Sequence, residues 1–191
     1  MKIGILGGTF NPIHLGHLIM AEEVRQKVGL NKVVFVPANL PPHKENGEII
    51  LASHRIKMLR LAIRENPYFS VSDIEIKRGG RSYTIDTIKE FSKIYRGDEL
   101  YFIIGSDLFK YLNEWKDLKE IISLVKFIVV TRPGYPLENL PDYITTIEIR
   151  AVDISAFGVR QFIKESHSFR YLVPEVVRRY IISKGLYKNV T

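Results

Sequence analysis

The sequence predicts a doubly wound, mostly parallel α/β sheet with helices on both faces, and three observations point there. Short β-rich apolar runs alternate along the chain with stretches of helical period, the pattern of parallel strands joined by crossover helices. No repeat, low-complexity tract or break in composition divides the chain. The segments that follow the predicted strands are rich in glycine, proline and polar residues, and such sheets bind ligands beyond the carboxyl ends of their strands.

Taken in order, Ile3 to Leu6 is the first predicted strand. A helix follows from Leu15 to Val28, with Leu18, Ala21, Val24 and Val28 on one face and Gly29 as its stop. Val33 to Val36 is a buried strand ended by Pro37, and a loop from Ala38 to Glu48 contains Pro41, Pro42 and Gly47. Ser53 is placed to cap a helix whose Ile56, Leu59, Ala62 and Ile63 face the core. Phe69 to Ile76 alternates as a strand, Ser82 to Tyr95 is helical, and Tyr101 to Ile104 and Phe127 to Val130 are strands. Thr145 to Ile149 is the last strand. Helices near Ser155 to Glu165 and Pro174 to Lys184 close the chain, with Pro174 suited to a first helical turn. The expected organisation is a single domain over residues 1–191, its C-terminal helices (about 155–184) packed on the sheet edge.

Composition narrows the function. A chain of 191 residues with 46% hydrophobic and 26% charged residues is ordinary for a globular protein. The absence of cysteine excludes disulfides, thiolate metal sites and a cysteine nucleophile. The apolar run in MKIGILGGTF is interrupted by glycine before it reaches signal-peptide length. No segment approaches the ~20 apolar residues of a membrane span. The expectation is a cytoplasmic protein with no membrane partner. A net charge of +7 favours anionic partners, but the bases are scattered: Arg55, Lys57, Arg60 and Arg64 read as a solvated face, as do Lys77, Arg78 and Arg81.

The strongest signal is Gly7-Gly8-Thr9-Phe10-Asn11-Pro12-Ile13-His14-Leu15-Gly16-His17, running from the first strand into the first helix. The glycines let backbone N–H groups approach a ligand, and the helix aims its positive end at the same place. His14 and His17 share one face of the first turn, and Gly16 leaves room between them. The parts make an anion cradle with two imidazole donors. A Walker A loop would need Gly-Lys-Ser/Thr, and a redox dinucleotide site would need Gly-x-Gly-x-x-Gly with an acidic residue ending the second strand; neither is present. Two histidines without a third ligand make a poor zinc site, so no protein-held metal is expected.

The segment Gly8-Thr9-Phe10-Asn11-Pro12-x-His14-x-Gly16-His17 resembles the signature of the His-x-Gly-His nucleotidylyltransferases, a Rossmann-like superfamily. Pro37-x-x-x-Pro41-Pro42-His43-Lys44, Ser82-Tyr83-Thr84-x-x-Thr87, Ile104-Gly105-Ser106-Asp107, Trp115 and Thr131-Arg132-Pro133-Gly134 are similar to the nicotinate-nucleotide adenylyltransferases. The resemblance implies transfer of AMP from ATP to nicotinate mononucleotide, giving the dinucleotide and pyrophosphate in NAD biosynthesis. The acceptor phosphate is already ionised near neutral pH, so alignment and charge neutralisation, not a general base, carry the reaction.

On that resemblance His14, His17 and Arg160 are catalytic. Gly8, Thr9, Phe10, Lys44, Gly105, Asp107, Arg132 and Ser155 are expected at ATP, and Thr84, Thr87 and Trp115 at the nicotinate nucleotide. Trp115 would stack on the pyridine ring, and the helix beginning at Thr84 would receive its carboxylate, favouring acid over amide. Mg²⁺ is expected on the ATP phosphates. One departure stands out: Ile154-Ser155-Ala156-Phe157-Gly158-Val159-Arg160 lacks the hydroxyls the family usually carries at positions 156 and 157.

The alternative keeps the fold and changes the acceptor, to nicotinamide mononucleotide or phosphopantetheine, or transfers CMP. Pantetheine-phosphate adenylyltransferases usually carry threonine where this chain has His14. A nucleic-acid-binding reading has only the basic charge behind it, since the Lys-Met-Ser-Lys-Ser-like loop of class I aminoacyl-tRNA synthetases is missing. The expected partners are the two nucleotides, not nucleic acid; a homo-oligomer is compatible with the sequence.

Overall fold

The computed structural model describes residues 1–41, 49–131, 137, 140–150 and 152–188. Six strands form one sheet in the order β3-β2-β1-β4-β5-β6, and every neighbouring pair is parallel. The strands are β1 (Lys2–Gly8), β2 (Lys32–Pro37), β3 (Phe69–Val71), β4 (Glu99–Gly105), β5 (Lys126–Thr131) and β6 (Ile144–Glu148). The helices are α1 (Leu15–Val28), α2 (Ala52–Ala62), α3 (Ile74–Arg78), α4 (Thr84–Ile94), α5 (Ser106–Phe109), α6 (Leu118–Leu124), α7 (Ala156–Lys164) and α8 (Glu175–Lys184). The fold is the Rossmann-like α/β arrangement that the sequence predicts.

Strand alternation sorts the core into two layers. Val33 and Phe35 of β2, Ile103 of β4, and Ile128 and Val130 of β5 face one side. There they meet Ala21 and Val24 of α1 and Met58 and Leu59 of α2. The closing helices add Val159, Ile163, Val177 and Ile181 to this same cluster. Ile3, Ile5, Val34, Phe102 and Phe127 point the other way, against Ile85, Ile88 and Phe91 of α4 and Ile121 of α6. Each of the larger side chains here, Val, Leu, Ile, Met or Phe, contributes about 1.5–3 kcal/mol on leaving water. Strand order reverses between β1 and β4, so the crevice for a ligand opens where Gly8 and Gly105 end those strands.

The boundaries depart from the sequence reading in four places. The predicted strand Phe69 to Ile76 stops at Val71, and Ile74 begins α3. Tyr68 O accepts from Val33 N–H, and Ser72 N–H donates to Phe35 O, so the next rung would need the N–H of Pro37, which has none. Leu51, not Ser53, caps α2, and Pro174 is the cap of α8, one residue before its first turn. The short helices α5 and α6, and a 3-10 turn at Leu112–Glu114, lie in a stretch the sequence left unassigned. No helix among the described residues is long and apolar enough to cross a membrane.

Candidate active site

The site grows from the β1–α1 turn. Phe10 takes a positive φ of 48° and buries its ring, which lies edge-on to His17 at 5.1 Å. That ring fills the space beside Gly8, where a Cβ would meet it at 3.0 Å. His14 is the extended N-cap residue of α1, and His17 lies in its first turn. Their rings stack with centroids 3.6 Å apart. A Cβ on Gly16 would stand 3.1 Å from His14 Nδ1, so glycine here lets the ring lie over the turn.

The proton positions follow from the contacts. The backbone N–H of His14 donates to His17 Nδ1 at 3.3 Å, so a neutral His17 carries its hydrogen on Nε2. Burial pushes the His14 pKa down to about 4. Burial, and then the neighbouring His14, hold His17 well below its ordinary value. Both rings are therefore neutral at pH 7 in the free protein, and each offers a hydrogen-bond donor without a charge.

The same burial sets a stability profile. An unfolded chain takes up a His14 proton below about pH 6.5, whereas the fold takes it up only near 4. The unfolded state binds more protons between these values, so stability falls as pH drops through that window, by about 3 kcal/mol for His14 once complete. In urea unfolding, the gap between wild type and His14→Gln is expected to narrow from pH 7 to pH 4.5. A constant gap would contradict it.

A cavity of about 860 Å³ opens beside the histidines. His14, Gly16 and His17 form one wall, and Gly105, Asp107 and Lys110 another. Ile149, Arg150, Val152, Ile154, Ser155 and Arg160 also line it. Arg160 donates from Nη1 to Asn11 O at 3.0 Å, and its guanidinium lies 5.7 Å from the Phe157 ring centroid. Ser155 caps α7 by accepting the N–H of Gly158 at 3.0 Å, and Phe157 exposes most of its ring where the usual hydroxyl is missing. The Asp107 carboxylate lies directly over Gly105, which no other residue could replace without moving it.

The structure thus gathers His14, His17, Gly105, Asp107, Ser155 and Arg160 around one cavity. Gly8 ends β1, and Thr9 and Phe10 form the turn that leads to the histidines. Lys44 and Arg132 lie outside the described residues. Trp115 and Thr84 belong to the opposite face of the sheet. Trp115 is half-buried, edge-on to Phe102 at 5.7 Å and to Phe127 at 6.1 Å. Phe102 comes within 3.5 Å of where a Gly7 Cβ would be, which carries this second group to the glycine turn. Lys116 lies over the Tyr83 ring at 4.8 Å, joining the Trp115 segment to the start of α4.

Thr87 requires a correction. It is 1% exposed, its Oγ1 donates to Glu75 at 2.6 Å, and it accepts from Arg78 at 3.1 Å. A hydroxyl so enclosed and engaged pins α3 to α4 and has no face left for a nucleotide. Three residues near the turn were missed. Arg55 is 2% exposed and donates to the carbonyls of Thr9 and Ala38. Tyr187 donates to Asn11 Oδ1 at 3.0 Å from beyond the last helix. Lys110 faces the cavity from the end of α5. Lys110 and Tyr187 stand in no motif, and Arg55 was read with Lys57, Arg60 and Arg64 as part of a solvated face.

Fold and site together define a nucleotidyltransferase, and the chain belongs to the Cytidylyltransferase-like family, whose model matches residues 5–162. It is 45% identical over 186 residues to a probable nicotinate-nucleotide adenylyltransferase of Geobacillus thermodenitrificans, covering 97% of this chain and 86% of that one. It is 41% identical over 188 residues to the nicotinate-nucleotide adenylyltransferase of Bacillus subtilis, covering 98% and 99%. Within the larger family, then, this chain is a member of the nicotinate-nucleotide adenylyltransferases. The Plasmodium falciparum nicotinic acid mononucleotide adenylyltransferase, solved in complex with NaAD, shares the fold at a TM-score of 0.82 and 20% identity, with 97% of each chain covered.

Proposed function

We propose that this protein transfers AMP from ATP to nicotinate mononucleotide, releasing pyrophosphate and forming nicotinate adenine dinucleotide. The observation that carries it is the stacked His14–His17 pair at the start of α1, opening onto a cavity of about 860 Å³ that Arg160 also lines. That volume suits a nucleotide. The acceptor phosphate attacks the α-phosphorus as pyrophosphate departs, so the leaving oxygens gain charge. Two neutral imidazole donors, a helix N-terminus and the Arg160 guanidinium are placed to meet that charge.

Among the described residues no cluster of three His, Cys, Asp or Glu side chains is arranged for a metal ion, and Asp107 is the carboxylate on the cavity wall. In this reading Mg²⁺ enters with ATP as part of the substrate, screening the triphosphate while the protein aligns it. Asp107 is placed to accept from a ribose hydroxyl.

For the acceptor, Thr84 opens an eleven-residue helix and Trp115 stands nearby on the same face, joined to it through Lys116 and Tyr83. A carboxylate at those N–H groups makes charge-assisted bonds that an amide cannot, so the acid is favoured by about tenfold or more in kcat/KM. Pyrophosphate release with ATP and either nicotinate or nicotinamide mononucleotide measures this. Equal kcat/KM values would refute the preference, and activity with CTP or phosphopantetheine alone would refute the reaction.

A further inference from the structure

Arg55 is among the largest fully buried side chains of the protein, at 2% exposure. Its hydrogen bonds are to backbone carbonyls drawn from three segments. Nη1 donates to Thr9 O at 2.9 Å and to Ala38 O at 2.7 Å, and Nε donates to Ile50 O at 3.3 Å. A guanidinium taken out of water and paired with neutral oxygens is costly, and burial does lower its pKa, offset in part by Tyr187 and Glu75. Packing alone would be met at lower cost by methionine or leucine.

The three carbonyls explain the charge. Thr9 belongs to the turn that leads to the histidines. Ala38 follows β2, and from there the contacts run on: Asn39 N–H donates to Ser82 Oγ at 2.8 Å, and Ser82 N–H donates to Leu40 O at 2.9 Å. Ser82 stands two residues before Thr84, where α4 begins. Ile50 N–H reaches Asn11 Oδ1 at 3.5 Å, and Asn11 O holds Arg160. One buried cation therefore stands where the ATP half of the site meets the acceptor half.

We infer that Arg55 is a positioning residue that sets the spacing between the two substrate half-sites, through Thr9 on one side and Ala38, Asn39 and Ser82 on the other. The inference rests on the reaction proposed above. Its signature is specific, because a brace of this kind aligns two bound substrates without touching either one. Loss of the brace lowers kcat and leaves the binding of each substrate alone little changed.

The test uses purified Arg55→Lys, which keeps the charge but has one nitrogen in place of the fork, and Ser82→Ala, which cuts the hydroxyl link at a half-exposed position. Folding is checked by circular dichroism and thermal unfolding, and the binding of ATP and of nicotinate mononucleotide by calorimetry, one at a time. For Arg55→Lys, kcat is expected to fall about 10–100-fold with each single-substrate Kd near the wild-type value, since small misalignments of this kind cost up to about 10². Ser82→Ala is expected to show the same split at about tenfold. A folded Arg55→Lys with normal kcat, or with its loss confined to binding, overturns the inference. If Arg55→Lys does not fold, Ser82→Ala decides alone, and a normal kcat there overturns it. Wild-type turnover is measured first, and its absence would refute the assigned reaction, and the brace with it.

Discussion

Replacing His17 with alanine is expected to lower kcat by about 10²–10³ without unfolding the protein, the usual cost of one donor aimed at developing charge. The geometry makes the donor well defined. His17 Nδ1 accepts from the His14 backbone, so the hydrogen of the neutral ring lies on Nε2. Because burial keeps both rings neutral, the donor needs no protonation, and the loss should be similar at pH 6.5 and pH 8. KM for ATP should rise less than kcat falls, since the charge to be met grows as pyrophosphate leaves. Steady-state kinetics of a folded His17→Ala enzyme checks this, and near-normal turnover would show that the pair is structural.

The second large effect is expected at Arg160, where Arg160→Ala should reduce kcat/KM by about 10–100-fold, the range for a hydrogen bond to a charged group. Arg160 donates to the Asn11 carbonyl of the turn that carries the histidines, and it lines the same cavity as they do. Arg160→Lys should recover part of the loss, because the charge remains while the two-pronged geometry does not. Full recovery by lysine would mean that charge alone matters. No loss in Arg160→Ala would place the triphosphate elsewhere.

Much of this was legible in the chain. The strands β1, β2, β4 and β5 read clearly because parallel strands covered on both faces are continuous apolar runs, as in Val33 to Val36 and Phe127 to Val130. The edge strand β3 read poorly, since Ile74 and Ile76 look like further strand positions although they fall out of phase with Phe69 and Val71 and belong to a helix. What ended the strand was the missing N–H of Pro37 on the neighbouring strand, a tertiary fact. At the site, the glycine turn and its histidines were plain because local spacing builds them. Arg55 was hidden because it was read with Lys57, Arg60 and Arg64 as one basic stretch, whereas it shares a helix face with the buried Met58 and Leu59, three and four residues on, and so turns inward while Arg60 and Arg64 stay exposed. Thr87 misled for the converse reason: a hydroxyl in a motif says nothing about which neighbours have already engaged it.

The central claim is that the imidazole pair at the β1–α1 turn receives the triphosphate of ATP. A crystal structure with a non-hydrolysable ATP analogue and nicotinate mononucleotide tests it most directly. The expected result is phosphate oxygens within hydrogen-bond distance of His17 Nε2 and Arg160, with the base and ribose in the cavity beside Asp107. A triphosphate bound away from that turn, with the histidines untouched, would contradict it.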